Sequence, residues 1–466
     1  MMTLKVSEIA AVVGGIVAQG SPEAAADAVF TDSRSPAPGG VFFALAGPRF
    51  DGHAFVKDVF DKGAAAAVVS RTEGIAGLVP GLPLIVVDDT LRALGALACF
   101  VRGAHDAPVV AISGSAGKTT TKEMVAAILG RTRKVLKTEG NRNNLVGLPL
   151  TLLGLTNEHA AAVVELGISE MGEMERLVEM ARPDVAVLTN IGRAHLESLG
   201  SIEGVAMAKG PLFANLGEGA VKAVNLDDGW VVRLAGQAGH CITYSAREAA
   251  DVRVREASPL PRLGGIRVAY DVRGKTVKVV IPTPSATAVI NGAAAIAASL
   301  PFGIGARDIE EGLASFSNAH GRMDIVRAGG VTILDDTYNA NPASMASAMR
   351  TLAAAEGRKV AVLGEMLELG DASSAEHREL GRLAAGLGID VVAAIGPKAL
   401  DVTEGARDAG MSESRLHGFR NKKEALAGLR FIVREGDAVL VKGSRGAALE
   451  EVVEGLKGLG EAAPAN

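Results

Sequence analysis

Residues 111–120 read Ala-Ile-Ser-Gly-Ser-Ala-Gly-Lys-Thr-Thr: a short apolar run, a glycine turn, a lysine, then hydroxyls opening a helical stretch. That order suits phosphate. Gly114 and Gly117 let backbone N–H groups converge on phosphate oxygens, with Ser115, Ala116 and Thr120 completing the loop. A helix N-terminus adds partial positive charge, Lys118 neutralises β/γ oxygens, and the Thr119 hydroxyl can ligate Mg²⁺. The spacing is a compact G-x-x-G-K-T-T, because Ile112 stands five residues before Gly117. A tight strand-to-helix turn with an exposed lysine accounts for the same residues less well. The loop predicts ATP and leaves a second substrate open.

Glu165 closes an apolar run at 161–164, and His195 lies just beyond another at 185–188. In an open parallel sheet, ligands collect at the carboxyl ends of the strands. Three such ends would bring Lys118 and Thr119 together with Glu165 and His195. A carboxylate suits Mg²⁺; the imidazole can serve it or orient a water or phosphate. Asn141, Asn143 and Asn144 precede Gly147 in a polar loop, where Asx turns and substrate contact explain them equally. Spacing alone marks Lys209 as an ordinary helix lysine.

The elements that must position these groups follow from apolar patterning. Short runs at 109–112, 160–164, 185–188 and 221–224 alternate with helical stretches such as 120–129, which predicts an α/β fold with a parallel sheet covered on both faces. Residues 266–272 and 276–281 alternate in polarity around Arg273-Gly274-Lys275, an antiparallel hairpin at the sheet edge. After His320 a second doubly wound unit begins, with strands at 331–334, 360–363, 391–395 and 438–441. Ahead of both lies a smaller α/β region with strands at 41–45, 64–69 and 84–87 and a helix at 91–102. The expected domains are 1–105, 106–319 and 320–466.

The chain has 466 residues and a formal net charge of −5, which argues against a nucleic-acid or anionic-membrane binder. No run reaches the ~18 apolar residues of a spanning helix. The apolar stretch 9–17 follows Lys5 like a secretion signal, yet Gly14-Gly15 interrupts it. Ser7 capping a short helix that ends at Gly14 explains it better. Two cysteines, Cys99 and Cys241, make no disulfide framework, so a cytoplasmic protein is expected. Aromatics are only 3%, so the cores must be built from Ala, Val, Leu and Ile.

Residues 114–124 (GSAGKTTTKEM) resemble the ATP loop of the Mur ligases, the ATP-dependent amide-forming enzymes of peptidoglycan synthesis. Residues 189–196 (TNIGRAHL), 208–213 (AKGPLF), 320–324 (HGRMD) and 442–446 (KGSRG) fall in that family's order. Within it, 335–342 (DDTYNANP) and 363–370 (LGEMLELG) are similar to the branch that joins D-alanyl-D-alanine to UDP-N-acetylmuramoyl-tripeptide. Residues 31–34 (TDSR) and 51–55 (DGHAF) resemble that branch's uridine-nucleotide domain. Gly40, Pro211 and Thr287 depart from residues common in the family.

The resemblance implies a central P-loop ATPase domain, a Rossmann-like C-terminal domain for the incoming dipeptide and an N-terminal domain for the UDP-muramoyl peptide. Lys118, Lys209 and His195 would be catalytic. Thr119, Glu165, His195 and a carbamylated Lys209 would hold Mg²⁺, two ions in all. Asn291 would contact adenine, and Arg322 and Asp336 would bracket phosphates and ribose. Ser33, Arg34, Gly47, Asp51 and His53 would meet the uridine diphosphate, and Asn143, Asn144, Asn339 and Asn341 the rest of the substrates. A monomer is expected. The rivals are sister ligases adding one amino acid, folylpolyglutamate-type ligases, and a P-loop ATPase that makes no covalent product.

Overall fold

The computed structural model describes residues 2–47, 50–237 and 239–459. Three sheets carry the architecture. The N-terminal one has five strands in the order Ile16–Gln19, Leu84–Val86, Ala66–Val69, Val41–Phe43, Val29–Phe30, all parallel except the first pair. Its opening helix is Val6–Val13, so Ser7 lies inside the first turn rather than capping it. Lys5 takes the cap position, and its backbone N–H donates to the Glu8 carboxylate at 2.7 Å.

The central sheet has nine strands in the order Val135–Lys137, Ala161–Glu165, Val109–Ser113, Val185–Leu188, Val221–Asn225, His240–Ser245, Val252–Pro259, Ile266–Val272, Lys275–Ile281. The first seven run parallel; the last two form the predicted edge hairpin. The strands bearing Glu165, the phosphate loop and the His195 segment are immediate neighbours. On one face the alanine-rich helix Thr287–Ser299 packs with Lys118–Leu129, its small side chains filling the space that scarce aromatics cannot. On the other, Thr90–Gly103 joins the N-terminal core to the central one without a break. Arg102 seals that join, its Nε donating to the Ala181 carbonyl at 3.0 Å.

The C-terminal sheet has six strands in the order Asp324–Ala328, Val331–Asp336, Ala438–Lys442, Lys359–Leu363, Val391–Ile395, Leu416–Phe419, parallel apart from the first pair. Four of these match apolar runs. The two edge strands do not, because edges are half solvated and tolerate Asp, Arg, His and Gly. No helix among the described residues is long and apolar enough to cross a membrane.

Candidate active site

The phosphate loop leaves its strand through Gly114 at φ +142°, where a side-chain carbon would sit 1.9 Å from the Thr189 hydroxyl. Gly117, at φ +81°, starts the helix Lys118–Leu129, and a side-chain carbon there would sit 2.6 Å from Asn291 Oδ1. Both contacts explain why the loop needs glycine. The neighbouring strand end braces it. Thr189 Oγ1 donates to the Ala116 carbonyl at 2.6 Å, Asn190 Oδ1 accepts from the Ala116 N–H at 2.9 Å, and the Gly192 N–H donates to Ser115 Oγ at 2.9 Å. With no side chain capping this helix, its first N–H groups are left for an anion.

Thr119 and Glu165 meet as the sheet order requires. The Thr119 hydroxyl donates to Glu165 Oε2 at 2.8 Å, and Asn143 Nδ2 donates to Oε1 at 2.8 Å. Glu165 is 2% exposed, an oxygen donor held in a dry pocket. Lys209 ends the helix Ile202–Lys209 and is 1% exposed, with no hydrogen bond or ion pair among the described residues. Burial foremost, and then the charge of Lys118, push its pKa down to about 7, against the pull of Glu165 and Glu173. Lys118 Nζ donates to the Gly114 carbonyl at 2.8 Å, and burial lowers its pKa too. His195 sits at φ +55° with Nδ1 2.6 Å from the Glu368 carboxylate of the C-terminal unit. That leaves Nε2 without a described partner. A carboxylate fixing one imidazole nitrogen while the other is free is the usual arrangement of a metal-ligating histidine.

A cavity of about 230 Å³ lies between the central and C-terminal sheets, lined by residues 115–120, Asn291, Arg322, Asp336, Asn339, Asn341 and Lys442, among others. Lys442 was not singled out as a site residue by the sequence, although it opens the KGSRG motif. It is 3% exposed, pairs with Asp336 at 2.6 Å and donates to the Asn339 carbonyl at 2.8 Å. Its signal was a lysine closing a fully buried strand. Thr283, Ser285 and Asn318 also line the cavity without having been singled out. Lys118, Arg322 and Lys442 thus face one space with only Asp336 as a counter-charge among its lining side chains. Burial foremost, with the charge of Arg322 adding to it, depresses the pKa of both lysines, against the pull of Glu165 on Lys118 and of Asp336 on Lys442. Such a wall calls for a polyanion.

Several polar residues already have local work. Asn144 Oδ1 accepts from the Val146 and Gly147 N–H groups, the Asx-turn alternative. Asn341 caps the helix Pro342–Ala353 and reaches across the cleft, Nδ2 donating to the Ser115 carbonyl at 3.1 Å. Asn339 Oδ1 accepts from the Ala340 N–H. The N-terminal residues lie apart from this cavity. His53 is 4% exposed; Nε2 accepts from the Ser70 N–H at 2.9 Å, which puts the ring proton on Nδ1, facing Asp51 at 2.6 Å. Arg71 and His53 hold the Asp51 carboxyl well below the usual range. Gly47 pairs with Phe50 in a two-stranded hairpin. Ser33 offers its carbonyl to Lys62, and exposed Arg34 forks onto Asp32 through Nε at 2.9 Å and Nη2 at 2.7 Å.

Comparison with known proteins agrees with this geometry. Family models described as the Mur ligase middle domain, the Mur ligase glutamate ligase domain and the Mur ligase family catalytic domain match residues 112–299, 321–445 and 26–131. The UDP-N-acetylmuramoyl-tripeptide–D-alanyl-D-alanine ligase of Escherichia coli is 37% identical, covering 98% of this chain and 99% of its own, and that of Bacillus subtilis is 36% identical over the same shares. A crystal structure of MurF from Acinetobacter baumannii superposes with a TM-score of 0.91 at 33% identity, covering 98% of this chain and 99% of its own. MurF from Thermotoga maritima, in complex with ADP, gives 0.82 at 29% identity over 93% of this chain and 98% of its own. A folylpolyglutamate synthase from Mycobacterium tuberculosis shares the fold at 16% identity and a TM-score of 0.63 over 80% of this chain and 95% of its own. The chain belongs to the Mur ligase family.

Proposed function

We propose that this ligase joins D-alanyl-D-alanine to UDP-N-acetylmuramoyl-tripeptide at the expense of ATP, completing the UDP-linked pentapeptide of peptidoglycan synthesis in the cytoplasm. The observation that carries the chemistry is the cationic wall of Lys118, Arg322 and Lys442 beside a glycine phosphate loop, with buried Glu165 and Lys209 next to it. Full-length likeness to ligases of that name supports the substrates. Residues 1–105 are assigned to the UDP-muramoyl peptide, 106–319 to ATP and 320–466 to the dipeptide; 460–466 lie outside the described residues.

A carboxylate is a poor acyl donor because oxide is a poor leaving group. Its oxygen therefore attacks the γ-phosphorus, the bond to the ADP oxygen breaks, and an acyl phosphate forms. The dipeptide's amine then attacks the carbonyl carbon, and phosphate leaves with one former carboxylate oxygen while the nitrogen loses a proton. The helix N-terminus and Lys118 bind the β- and γ-phosphates, and Arg322 and Lys442 face the charge that develops on the phosphoryl oxygens. Asn291 lies against the loop at Gly117 and is assigned the adenine side; Asp336, held by Lys442, is assigned the ribose.

Mg²⁺ fits the oxygen set that Thr119, Glu165 and a carbamylated Lys209 would offer, with His195 Nε2 as the nitrogen donor; when bound it would neutralise phosphate charge. The fit rests on the chemistry of the donors: a buried lysine with no hydrogen-bond acceptor is costly as an ammonium, and an anionic oxygen ligand as a carbamate. Asn143 orients Glu165. Ser33, Arg34 and Gly47 are assigned to the uridine diphosphate end, with Asp51 and His53 bracing the adjoining turn. Asn144, Asn339 and Asn341 shape the peptide side through the loops they cap.

Purified protein should release phosphate only when UDP-N-acetylmuramoyl-tripeptide and D-alanyl-D-alanine are both present. A matrix of muropeptides and folates against single amino acids and the dipeptide reads this directly. Turnover with a single amino acid, or with a folate and glutamate, would overturn the assignment.

A further inference from the structure

Arg322 is the one member of the cationic wall with no hydrogen-bond or ion-pair partner among the described residues, and its Nε is buried. What it has is a ring. Its guanidinium carbon lies 4.1 Å from the centroid of Tyr338, whose backbone N–H donates to the Gly321 carbonyl at 3.0 Å. The base of the ring is thereby tied to the residue just before Arg322. Arg445 lies over the same ring at 5.9 Å but has a carboxylate of its own, Glu450, at 3.3 Å.

Lys118 and Lys442 both repel Arg322, and an unpaired guanidinium beside two lysines would swing toward water. A ring face offsets this. It attracts the cation through its quadrupole and occupies only the flat face of the guanidinium, leaving the N–H groups at the edge free to donate. A carboxylate partner would use up those donors. We propose that Tyr338 is a positioning residue that holds Arg322 by its face and aims its N–H edge at the phosphate end of the nucleotide. The inference rests on the nucleotide assignment above and on no other part of the proposed reaction.

The test is calorimetric binding of a non-hydrolysable ATP analogue and of AMP to the full chain, in Tyr338→Phe, Tyr338→Leu, Arg322→Gln and the Arg322→Gln/Tyr338→Leu double variant. Tyr338→Leu should weaken the analogue about tenfold and leave AMP unchanged, while Tyr338→Phe, which keeps the ring, loses no more than about twofold. The double variant should bind no more weakly than Arg322→Gln alone. Wild-type affinity in Tyr338→Leu, an equal loss for AMP, or additive losses in the double variant would each overturn the proposal. This binding pattern among the variants, with no amide formed by the wild-type protein, would overturn the ligase assignment and leave the role of Tyr338 standing.

Discussion

Lys209 shows how much a single buried charge decides. Its pKa near 7 means that the neutral amine predominates above that pH and the ammonium below it. Only the neutral amine can attack CO₂, so carbamate should build up as pH rises through about 7 and disappear below it. Magnetic resonance of protein equilibrated with isotope-labelled bicarbonate should show one carbamate carbon with that profile, absent in Lys209→Ala. The same variant should lose turnover and regain part of it with a small carboxylate; full activity without rescue would contradict the role. Neither burial nor this pKa was legible in the sequence, where Ala-Lys-Gly reads as a helix end facing water. The Thr119–Glu165 contact was legible, because Glu165 ends the strand beside the one that leads into the phosphate loop and Thr119. His53 and Asn144 show the reverse. The resemblance puts both at the substrates, and the fold adds backbone partners that no motif showed, the Ser70 N–H for His53 and the Gly147 N–H for Asn144.

At the scale of elements, the phosphate loop is held from three sides: by its own strand, by 189–192, and by Asn341 at the start of the helix Pro342–Ala353. Asn341 does two separable jobs. Its oxygen caps Pro342–Ala353 by accepting from the Ser344 N–H at 2.9 Å, and its nitrogen donates to Ser115. Asn341→Asp keeps the acceptor and loses the donor, so it should melt like wild type but bind ATP several-fold more weakly. Asn341→Ala should also lose about 1 kcal/mol of stability, seen as a lower melting temperature. Interior strands were readable because parallel strands covered on both faces are apolar throughout. The edge strands Asp324–Ala328 and Leu416–Phe419 were not, and the first of them begins two residues after Arg322 and anchors the segment that carries it into the cleft. Lys442 was missed for a related reason. A lysine ending a strand reads as solvated until the neighbouring strand supplies Asp336.

At the scale of the molecule, the cleft is closed by contacts no local pattern predicts. Arg193 pairs with Glu376, His195 with Glu368 at 2.6 Å, and the Glu197 N–H donates to the Glu368 carbonyl at 3.1 Å, all between the central and C-terminal sheets. Glu376 is 11% exposed on its side chain, so the Arg193 pair is shielded on one side. Arg193→Glu should repel Glu376, open the cleft and slow amide formation about tenfold, and Glu376→Arg added to it should restore most of the rate. Solution scattering should report the opening and its reversal. Closure matters because an acyl phosphate exposed to water is hydrolysed before an amine reaches it. The central claim is that this cavity passes an oxygen atom from a peptide carboxylate to phosphate. It is tested most directly with UDP-N-acetylmuramoyl-tripeptide labelled with heavy oxygen in its terminal carboxylate, by mass spectrometry of the phosphate released when D-alanyl-D-alanine is added. Phosphate carrying one heavy oxygen for each amide formed is the predicted result; unlabelled phosphate would contradict the account.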